Sequence, residues 1–172
     1  MDFSLKSIEI LREKINKYNL SNIQTLIGDL ALISLPKNYF DKAVSIEVLQ
    51  HIPTQEKKIL VLKNIFSFLK PGGKFIMVVY RYGGWIKFPK PKEEYDHAGV
   101  GLYRFAFTVE DCSLLLGEAG FKIDHIGGVL NLHKKIRKRL PSWMSFIEVW
   151  FSKLSLSRRF GDYLIVVAKK PL

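Results

Sequence analysis

Residues that can hold a ligand or move a proton follow several short apolar segments of this sequence. Asp2 stands at the start of the chain, and Asp29 follows the segment at residues 23–27. A carboxylate accepts hydrogen bonds from two neighbouring donors, so both residues suit a ligand with hydroxyl or amino groups. His51 and His97 can exchange a proton near neutral pH. Binding of a small polar molecule, with acid-base help, is the chemistry that these residue types suggest.

The elements around these residues alternate between helical and strand patterns. Ser4 is a helix cap before residues 5–18, where apolar residues recur every three or four positions. Thr54 caps a second predicted helix that ends at Lys70-Pro71-Gly72-Gly73, and a capping-box pattern at Thr108 begins a third that runs to Ala119. Predicted strands cover residues 23–27, 42–46, 74–80, 121–126 and 162–168.

This alternation predicts an α/β fold with a mainly parallel sheet that is buried on both faces. In such folds the ligand binds beyond the carboxyl ends of the strands. The residues expected there are Asp2, Asp29, the segment 47–51, Tyr80 and Arg81.

Composition favours one globular domain in a reducing compartment. The chain has 172 residues, 48% of them hydrophobic, and a single cysteine, Cys112, which cannot form an internal disulfide. We expect Cys112 to be a core residue. No apolar run reaches the roughly 20 residues that a membrane-spanning helix needs, so a cytoplasmic location is expected.

Five short motifs in a fixed order carry a family resemblance. They are Asp2-Phe3-Ser4, Gly28-Asp29 with Leu35-Pro36, Tyr39 to Val44, Glu47 to Ile52, and Leu69 to Gly73. In this order they resemble the class I S-adenosylmethionine-dependent methyltransferases, especially those that methylate quinones, lipids, sugars and other small molecules. The resemblance implies a Rossmann-like sheet, mostly parallel with an antiparallel last strand, and continues to the end of the chain apart from residues 131–160.

The resemblance also implies a binding site for S-adenosylmethionine. Asp2 matches the acid that binds the ribose hydroxyls, Phe3 would flank the adenine, and Asp29 would accept from the adenine amino group. Leu30 would add an amide and an apolar wall. The alternative for Asp29 is a plain turn acid after a strand. Further matching positions are Ser45, Ile46 and Glu47 beside the methionine part of the cofactor, and Tyr80, Arg81 and Arg104 in the acceptor pocket.

Candidate bases are few, and each has a structural alternative. His51 follows the fourth strand of the family near the expected transfer site, but it also suits a backbone hydrogen bond at a strand-to-helix turn. Asp96 and His97 suit an oriented acid-base pair or, alternatively, a solvated loop. A non-catalytic binding or scaffold protein remains the alternative to an enzyme.

One departure from the family concerns its first strand and glycine-rich loop. The G-x-G of this chain, Gly99-Val100-Gly101, does not follow a predicted strand. Without strand one and most of strand two, the family order 3-2-1-4-5-7-6 leaves strands three and four about 14 Å apart, at ~4.8 Å per strand step. Three explanations are considered: an N-terminally truncated piece of a longer enzyme, which we favour, a partner chain that completes the sheet, or direct pairing of strands three and four.

Residues 131–160 are the most distinctive segment. They hold eight of the Lys and Arg residues against Glu148 alone, together with Trp143, Trp150 and other apolar residues. The pattern predicts an inserted helix, which would be a lid on the acceptor pocket, an interfacial helix that rests on an anionic membrane through residues 134–154, or a helix packed on the domain or a second subunit. Nucleic-acid binding is not expected, because no aromatic residues interleave with residues 134–139.

Overall fold

The chain folds as two units, Met1–Pro36 and Lys37–Leu172. A computed structural model describes residues 1–83, 92–95, 103–129, 157 and 161–172. His97, Gly99 and Gly101, and the segment 131–160 apart from Ser157, lie outside the described residues.

The first unit contains helix α1, Leu5–Lys17. The Ser4 hydroxyl accepts a hydrogen bond from the Ser7 amide, and the Asp2 carboxylate accepts one from the Ser4 amide at 2.8 Å. These bonds satisfy amides that have no partner within a helix. Ile8 is the buried residue of the predicted apolar face. The sequence-based prediction of a helix over residues 5–18, capped by Ser4, is therefore confirmed.

The predicted strand at residues 23–27 is wrong. Only Ile27 pairs, in an isolated parallel bridge with Asp2. The Asp2 amide donates to the Leu26 carbonyl, and the Gly28 amide donates to the Asp2 carbonyl. The side chains of Ile23, Leu26 and Ile27 remain about two-fifths exposed. A β-branched, apolar segment forms an extended ladder only where a neighbouring strand offers partners along its length.

The second unit is built around a four-stranded sheet. Its elements are β1 Phe40–Ile46, a 3₁₀ turn Leu49–His51, α2 Gln55–Phe68, β2 Leu69–Tyr80, β3 Glu93–Tyr95, β4 Tyr103–Phe105, α3 Val109–Glu118, β5 Lys122–Val129 and β6 Tyr163–Lys169. The order is β1-β2-β6-β5, with β1 and β2 parallel and β6 antiparallel to both of its neighbours. This sheet confirms the predicted Rossmann-like fold with an antiparallel last strand, and its order matches 4-5-7-6 of the family.

The core lies along the two central strands. Alternate residues of β2 and β6 are buried, among them Phe75, Met77, Leu164 and Val166. Helices α2 and α3 begin at the caps that the sequence predicts, Thr54 and Thr108. Gly120 has φ +94°, and a Cβ there would lie 3.2 Å from the Phe66 ring, so glycine meets both a backbone and a packing requirement.

A second, two-stranded sheet was not predicted from sequence. Strands β3 and β4 pair antiparallel, so that Glu94 lies opposite Arg104 and Tyr95 opposite Tyr103. Each strand has three residues, which is too short for a period-of-two pattern to stand out. The pair places Tyr103 and Arg104 near the 3₁₀ turn and the end of β2, where the site residues of this unit lie.

Candidate functional site

In the first unit, one isolated backbone bridge includes Asp2 and lies two residues before Asp29. Asp2 pairs with Ile27, two residues before Asp29. One oxygen of each carboxylate, Oδ1, accepts from a backbone amide at 2.8 Å: Ser4 for Asp2 and Ala31 for Asp29. Their Oδ2 atoms accept no hydrogen bond from a described residue. The bridge thus brings together Asp2 and Asp29, the two acids that the family resemblance assigns to one ligand.

The chemistry of these groups fits a nucleoside. Both carboxylates are exposed and keep one oxygen each for donors such as ribose hydroxyls or an exocyclic amino group. Phe3 is 81% exposed, which leaves its ring face open to a flat base. Leu30 is half-buried beside Asp29. The residues therefore suit the adenosine part of S-adenosylmethionine, and their assigned roles stay predictions.

In the second unit, Glu47 continues from β1 with an unusual backbone. Its φ is +57°, in the left-handed region that costs an L-residue about 1–2 kcal/mol, and its amide donates to the Val78 carbonyl at 2.9 Å. Such conformations concentrate at functional sites, where the surroundings enforce them. Ser45 before it is buried, and Ile46 is 62% exposed. Ser45 and Ile46 end β1 and Glu47 follows it, but the predicted contact of these three residues with a cofactor is untested.

Glu47 belongs to a cluster of four side chains at the strand ends. This strand-end cluster comprises Glu47, Tyr80, Arg104 and Tyr163. The Tyr80 and Tyr163 rings stack at 4.8 Å between centroids, and the Arg104 guanidinium lies 5.3 Å from the Tyr80 centroid. Burial raises the pKa of Tyr163, and hydrogen bonds with Tyr80 and Glu47 raise it further. The raised pKa keeps the Tyr163 hydroxyl protonated at neutral pH.

Sequence reasoning assigned Tyr80, Arg104 and Glu47 to the site but missed Tyr163. The reason is that Tyr163 stands opposite Tyr80 only through the antiparallel register of β2 and β6. A signal existed, because this tyrosine is the second residue of the predicted last strand, 162–168, which the resemblance implies is antiparallel. The first residues of such a strand must lie at the end where the parallel strands finish.

Arg81 does not join the cluster. Its Nη1 donates to the carbonyl oxygens of Gly83 at 3.0 Å and Gly161 at 3.3 Å. Burial lowers the pKa of its guanidinium, although nearby Asp162 opposes that shift. Arg81 thus links the end of β2 to the chain before β6. These contacts are structural, whereas the resemblance implied that Arg81 lines the acceptor pocket.

His51 connects the 3₁₀ turn to β4. Its Nδ1 lies 2.9 Å from the Tyr103 carbonyl oxygen, so Nδ1 carries the hydrogen and donates. Its Nε2 then accepts from the Gln50 side-chain amide at 3.4 Å, and the Gln50 oxygen accepts from the Tyr80 amide at 3.0 Å. Both ring nitrogens have protein partners, which matches the backbone-bonding alternative. A catalytic role for His51 or for His97 stays a prediction.

Lys58 forms a second polar feature that sequence reasoning missed. It is only 3% exposed, and its Nζ lies 4.4 Å from the Phe105 ring centroid and 5.4 Å from that of Tyr103. Burial lowers the pKa of Lys58, while Glu93, Asp111 and Glu56 oppose the shift. A pocket of about 90 Å³ lies beside it, lined partly by Pro53, Gln55 and Leu114. Its spacing from Val61, Leu62 and Ile65 on the buried face of α2 was the available signal.

Neither a metal-binding cluster nor a membrane-spanning helix is found within the described residues. Residues 1–83, 92–95, 103–129, 157 and 161–172 hold no group of three His, Cys, Asp or Glu side chains that could bind a metal ion. Within the same ranges no helix has the length and apolar character to cross a membrane.

Comparison with known proteins adds a family match. Residues 1–77 match the family model described as a methyltransferase domain. The chain is 31% identical over 83 residues to phosphoethanolamine N-methyltransferase 2 of Caenorhabditis elegans, covering 48% of this chain and 18% of that protein. It is 32% identical over 111 residues to the sterol 24-C-methyltransferase of Saccharomyces cerevisiae, covering 64% and 24%. The chain thus spans less than a third of the length of these curated relatives.

Solved structures share the fold over nearly the whole chain. A methyltransferase of Methanosarcina mazei described as S-adenosylmethionine-dependent has a TM-score of 0.69 and 16% identity, covering 99% of this chain and 80% of that one. The 1,6-didemethyltoxoflavin N1-methyltransferase of Burkholderia thailandensis, crystallised with 1,6-didemethyltoxoflavin and S-adenosylhomocysteine, has a TM-score of 0.61 and 16% identity. It covers 94% of this chain and 56% of that chain.

Proposed function

We propose that this protein methylates a small-molecule or lipid acceptor with S-adenosylmethionine as the methyl donor. Residues 1–77 match the model of the methyltransferase domain family, and the chain has the fold of S-adenosylmethionine-dependent methyltransferases. The observation that carries the proposal is the match of residues 1–77, since this stretch contains Asp2, Asp29 and Glu47. The curated relatives act, by their names, on phosphoethanolamine and on a sterol.

The residues of the first unit would hold the adenosine part of the cofactor. Asp2 would accept from the ribose hydroxyls, Asp29 from the adenine amino group, and Phe3 would cover the base. S-adenosylmethionine supplies an electrophilic methyl group on a sulfonium. Because methyl transfer is an in-line displacement, the protein mainly has to position the acceptor, exclude water, and remove a proton where the acceptor carries one.

A further proposal concerns a pairing partner for the edge strand β1. Val44 and Ile46 of β1, the edge strand of the described sheet, are 60% and 62% exposed. An exposed apolar edge of this kind is a template for another strand, so we propose that a further segment or a partner chain pairs there.

Membrane contact through residues 134–154 stays a prediction from the sequence alone, because that segment lies outside the described residues.

The proposal is tested by transfer of a labelled methyl group. The protein is incubated with methyl-tritiated S-adenosylmethionine and a cell extract of small molecules and lipids, and both S-adenosylhomocysteine and labelled products are measured. We expect protein-dependent S-adenosylhomocysteine and label in one solvent fraction, the organic phase for a lipid and the aqueous phase for a polar acceptor. The Asp2→Asn variant is expected to lose most of this activity. No product above that of heat-denatured protein would argue against the proposal.

A further inference from the structure

Lys58 places an amino group in the interior of the second unit without a hydrogen-bond acceptor. The residue is 3% exposed, and its Nζ donates to none of the described residues. It lies instead against two aromatic rings, 4.4 Å from the Phe105 centroid and 5.4 Å from the Tyr103 centroid. Ring faces attract a cation, but a buried ammonium that lacks an acceptor is still costly. An acceptor from outside the chain would therefore stabilise this position.

A pocket of about 90 Å³ beside Lys58 has room for such an acceptor. A molecule of liquid water takes about 30 Å³, so this Lys58 pocket has the volume of about three waters or of a ligand with a few heavy atoms. Its lining is both polar and apolar, which suits a small molecule that combines an oxygen group with a short hydrocarbon part. The polar lining residues include Lys58, Glu93 and Asp111, and the apolar ones include Pro53, Leu114 and Leu115.

The charges around the Lys58 pocket leave Lys58 as the group to be neutralised. The Asp111 carboxylate already accepts a hydrogen bond from Lys92 Nζ at 2.9 Å. Glu93 and Glu56 are exposed, so water screens their repulsion of an anion. Burial lowers the pKa of Lys58, although these three carboxylates oppose the shift. A carboxylate bound directly to Nζ would raise that pKa again, because it stabilises the ammonium form.

We propose that the Lys58 pocket binds a short-chain monocarboxylate, such as acetate or propionate, with its carboxylate on Lys58 Nζ and its hydrocarbon part against Leu114 and Leu115. A hydrogen bond between an ammonium and a carboxylate is about twice as strong as one between neutral groups. The Lys58 pocket is lined from α2, α3, β3 and β4 and shares no residue with the strand-end cluster. It is thus a second site, and the inference does not rest on the proposed function.

Three probes of similar size test the inference: propionate, propionamide and propylamine. Each is titrated into the full chain at constant ionic strength, and binding is followed by saturation-transfer NMR of the probe's methyl group. We expect saturable binding of propionate and at least about fivefold weaker binding of propionamide, whose neutral carbonyl accepts a weaker hydrogen bond. Propylamine is not expected to bind, because it would bring a second cation to Lys58.

Variants of the chain locate the binding. Lys58→Met keeps an unbranched side chain but removes the charge, and we expect it to weaken propionate binding at least about tenfold. Lys57→Met removes the same charge from the exposed neighbouring position and should bind propionate as wild type does. Leu114→Phe enlarges the pocket wall at a position that is 54% exposed, so it should weaken propionate binding and leave the fold intact.

Circular dichroism checks that each variant is folded, and Leu114→Phe decides the outcome where Lys58→Met is not. Three results would overturn the inference: no saturable propionate binding by wild type, equal affinity for propionate and propionamide, or unchanged propionate affinity in the folded pocket variants. An equal loss in Lys57→Met and Lys58→Met would also overturn it, because binding would then follow net charge alone. S-adenosylhomocysteine binding measured in parallel reports on the proposed function alone.

Discussion

Cys112 illustrates how its surroundings decide what a single side chain can do. The thiol has no exposed surface, and burial, reinforced by Asp111 and Glu110, raises its pKa to about 12. A start-of-helix cysteine often has the opposite shift, because the helix dipole favours the thiolate. Here burial outweighs the dipole. Cys112 is therefore a core residue, as we expected from the sequence.

We predict that Cys112 reacts with thiol reagents only when the fold opens. The shift from 9.0 to about 12 lowers the thiolate fraction at neutral pH by about a thousandfold, and burial blocks access as well. The rate of reaction with a chromogenic disulfide should be very slow in the native protein and should rise steeply with urea. The denatured chain serves as the positive control. A fast, urea-independent reaction would show that the thiol is exposed in solution.

At the scale of elements, the ends of helix α3 depend on a few local contacts. The Thr108 hydroxyl accepts from the Asp111 amide, and the Asp111 carboxylate accepts from the Thr108 amide at 2.8 Å and from Lys92 Nζ at 2.9 Å. At the other end Gly120 takes the positive φ that stops the helix. These bonds bring α3 and the residue before β3 together, beside the pocket that holds Lys58.

We predict that Asp111→Asn destabilises the protein by about 1 kcal/mol at neutral pH, the usual cost of a lost helix cap. Burial raises the pKa of Asp111, but hydrogen bonds from Thr108 and Lys92 outweigh it, so the folded-state pKa is lowered. The carboxylate therefore stabilises the fold above its unfolded-state pKa and loses that effect as pH falls through the folded value.

Urea unfolding across a pH series measures this effect. The gap in unfolding free energy between wild type and Asp111→Asn should be largest near neutral pH and should shrink below about pH 4. Glu118→Gln, at the exposed C-terminal end of the same helix, is the matched control and should show no such loss. A gap that stays constant with pH would mean that the ionised carboxylate does not cap α3.

The helices were predictable because their determinants are local. Ser4, Thr54, Thr108 and Gly120 mark helix ends in the sequence and do so in the structure. The order of the four strands of the main sheet came from the family resemblance and is confirmed. What sequence reasoning missed depends on long-range pairing: the β3–β4 pair, the position of Tyr163 opposite Tyr80, and the single bridge at Ile27. A residue's neighbour across a sheet is set by register, which no local pattern encodes.

The candidate site residues likewise divide into features that the local sequence predicts and features that depend on the surrounding structure. The sequence showed that Asp29 follows an apolar segment, but the roles of Asp2 and Asp29 came from the family resemblance and stay predictions. The left-handed backbone of Glu47 could not be foreseen, because glutamate has no preference for it and only the surrounding structure enforces it. Likewise, the Nδ1 atom of His51 is bonded to the carbonyl oxygen of Tyr103, a residue 52 positions away.

At the scale of the whole molecule, a partial family match accompanies a likeness in fold to solved methyltransferases. The match covers residues 1–77, and the likeness in fold covers 99% of the chain. The central proposal is that Asp2, Phe3, Asp29 and Leu30 of the first unit hold the adenosine part of S-adenosylmethionine.

Calorimetric titration with S-adenosylhomocysteine tests that claim most directly. We predict saturable binding with a stoichiometry near one, weakened at least about tenfold in Asp2→Asn, because the ribose hydroxyls lose a charged acceptor. Glu13→Gln removes the same charge from an exposed position on α1 and should bind as wild type does. The absence of saturable binding by the folded protein, or equal affinity in Asp2→Asn and wild type, would contradict the account.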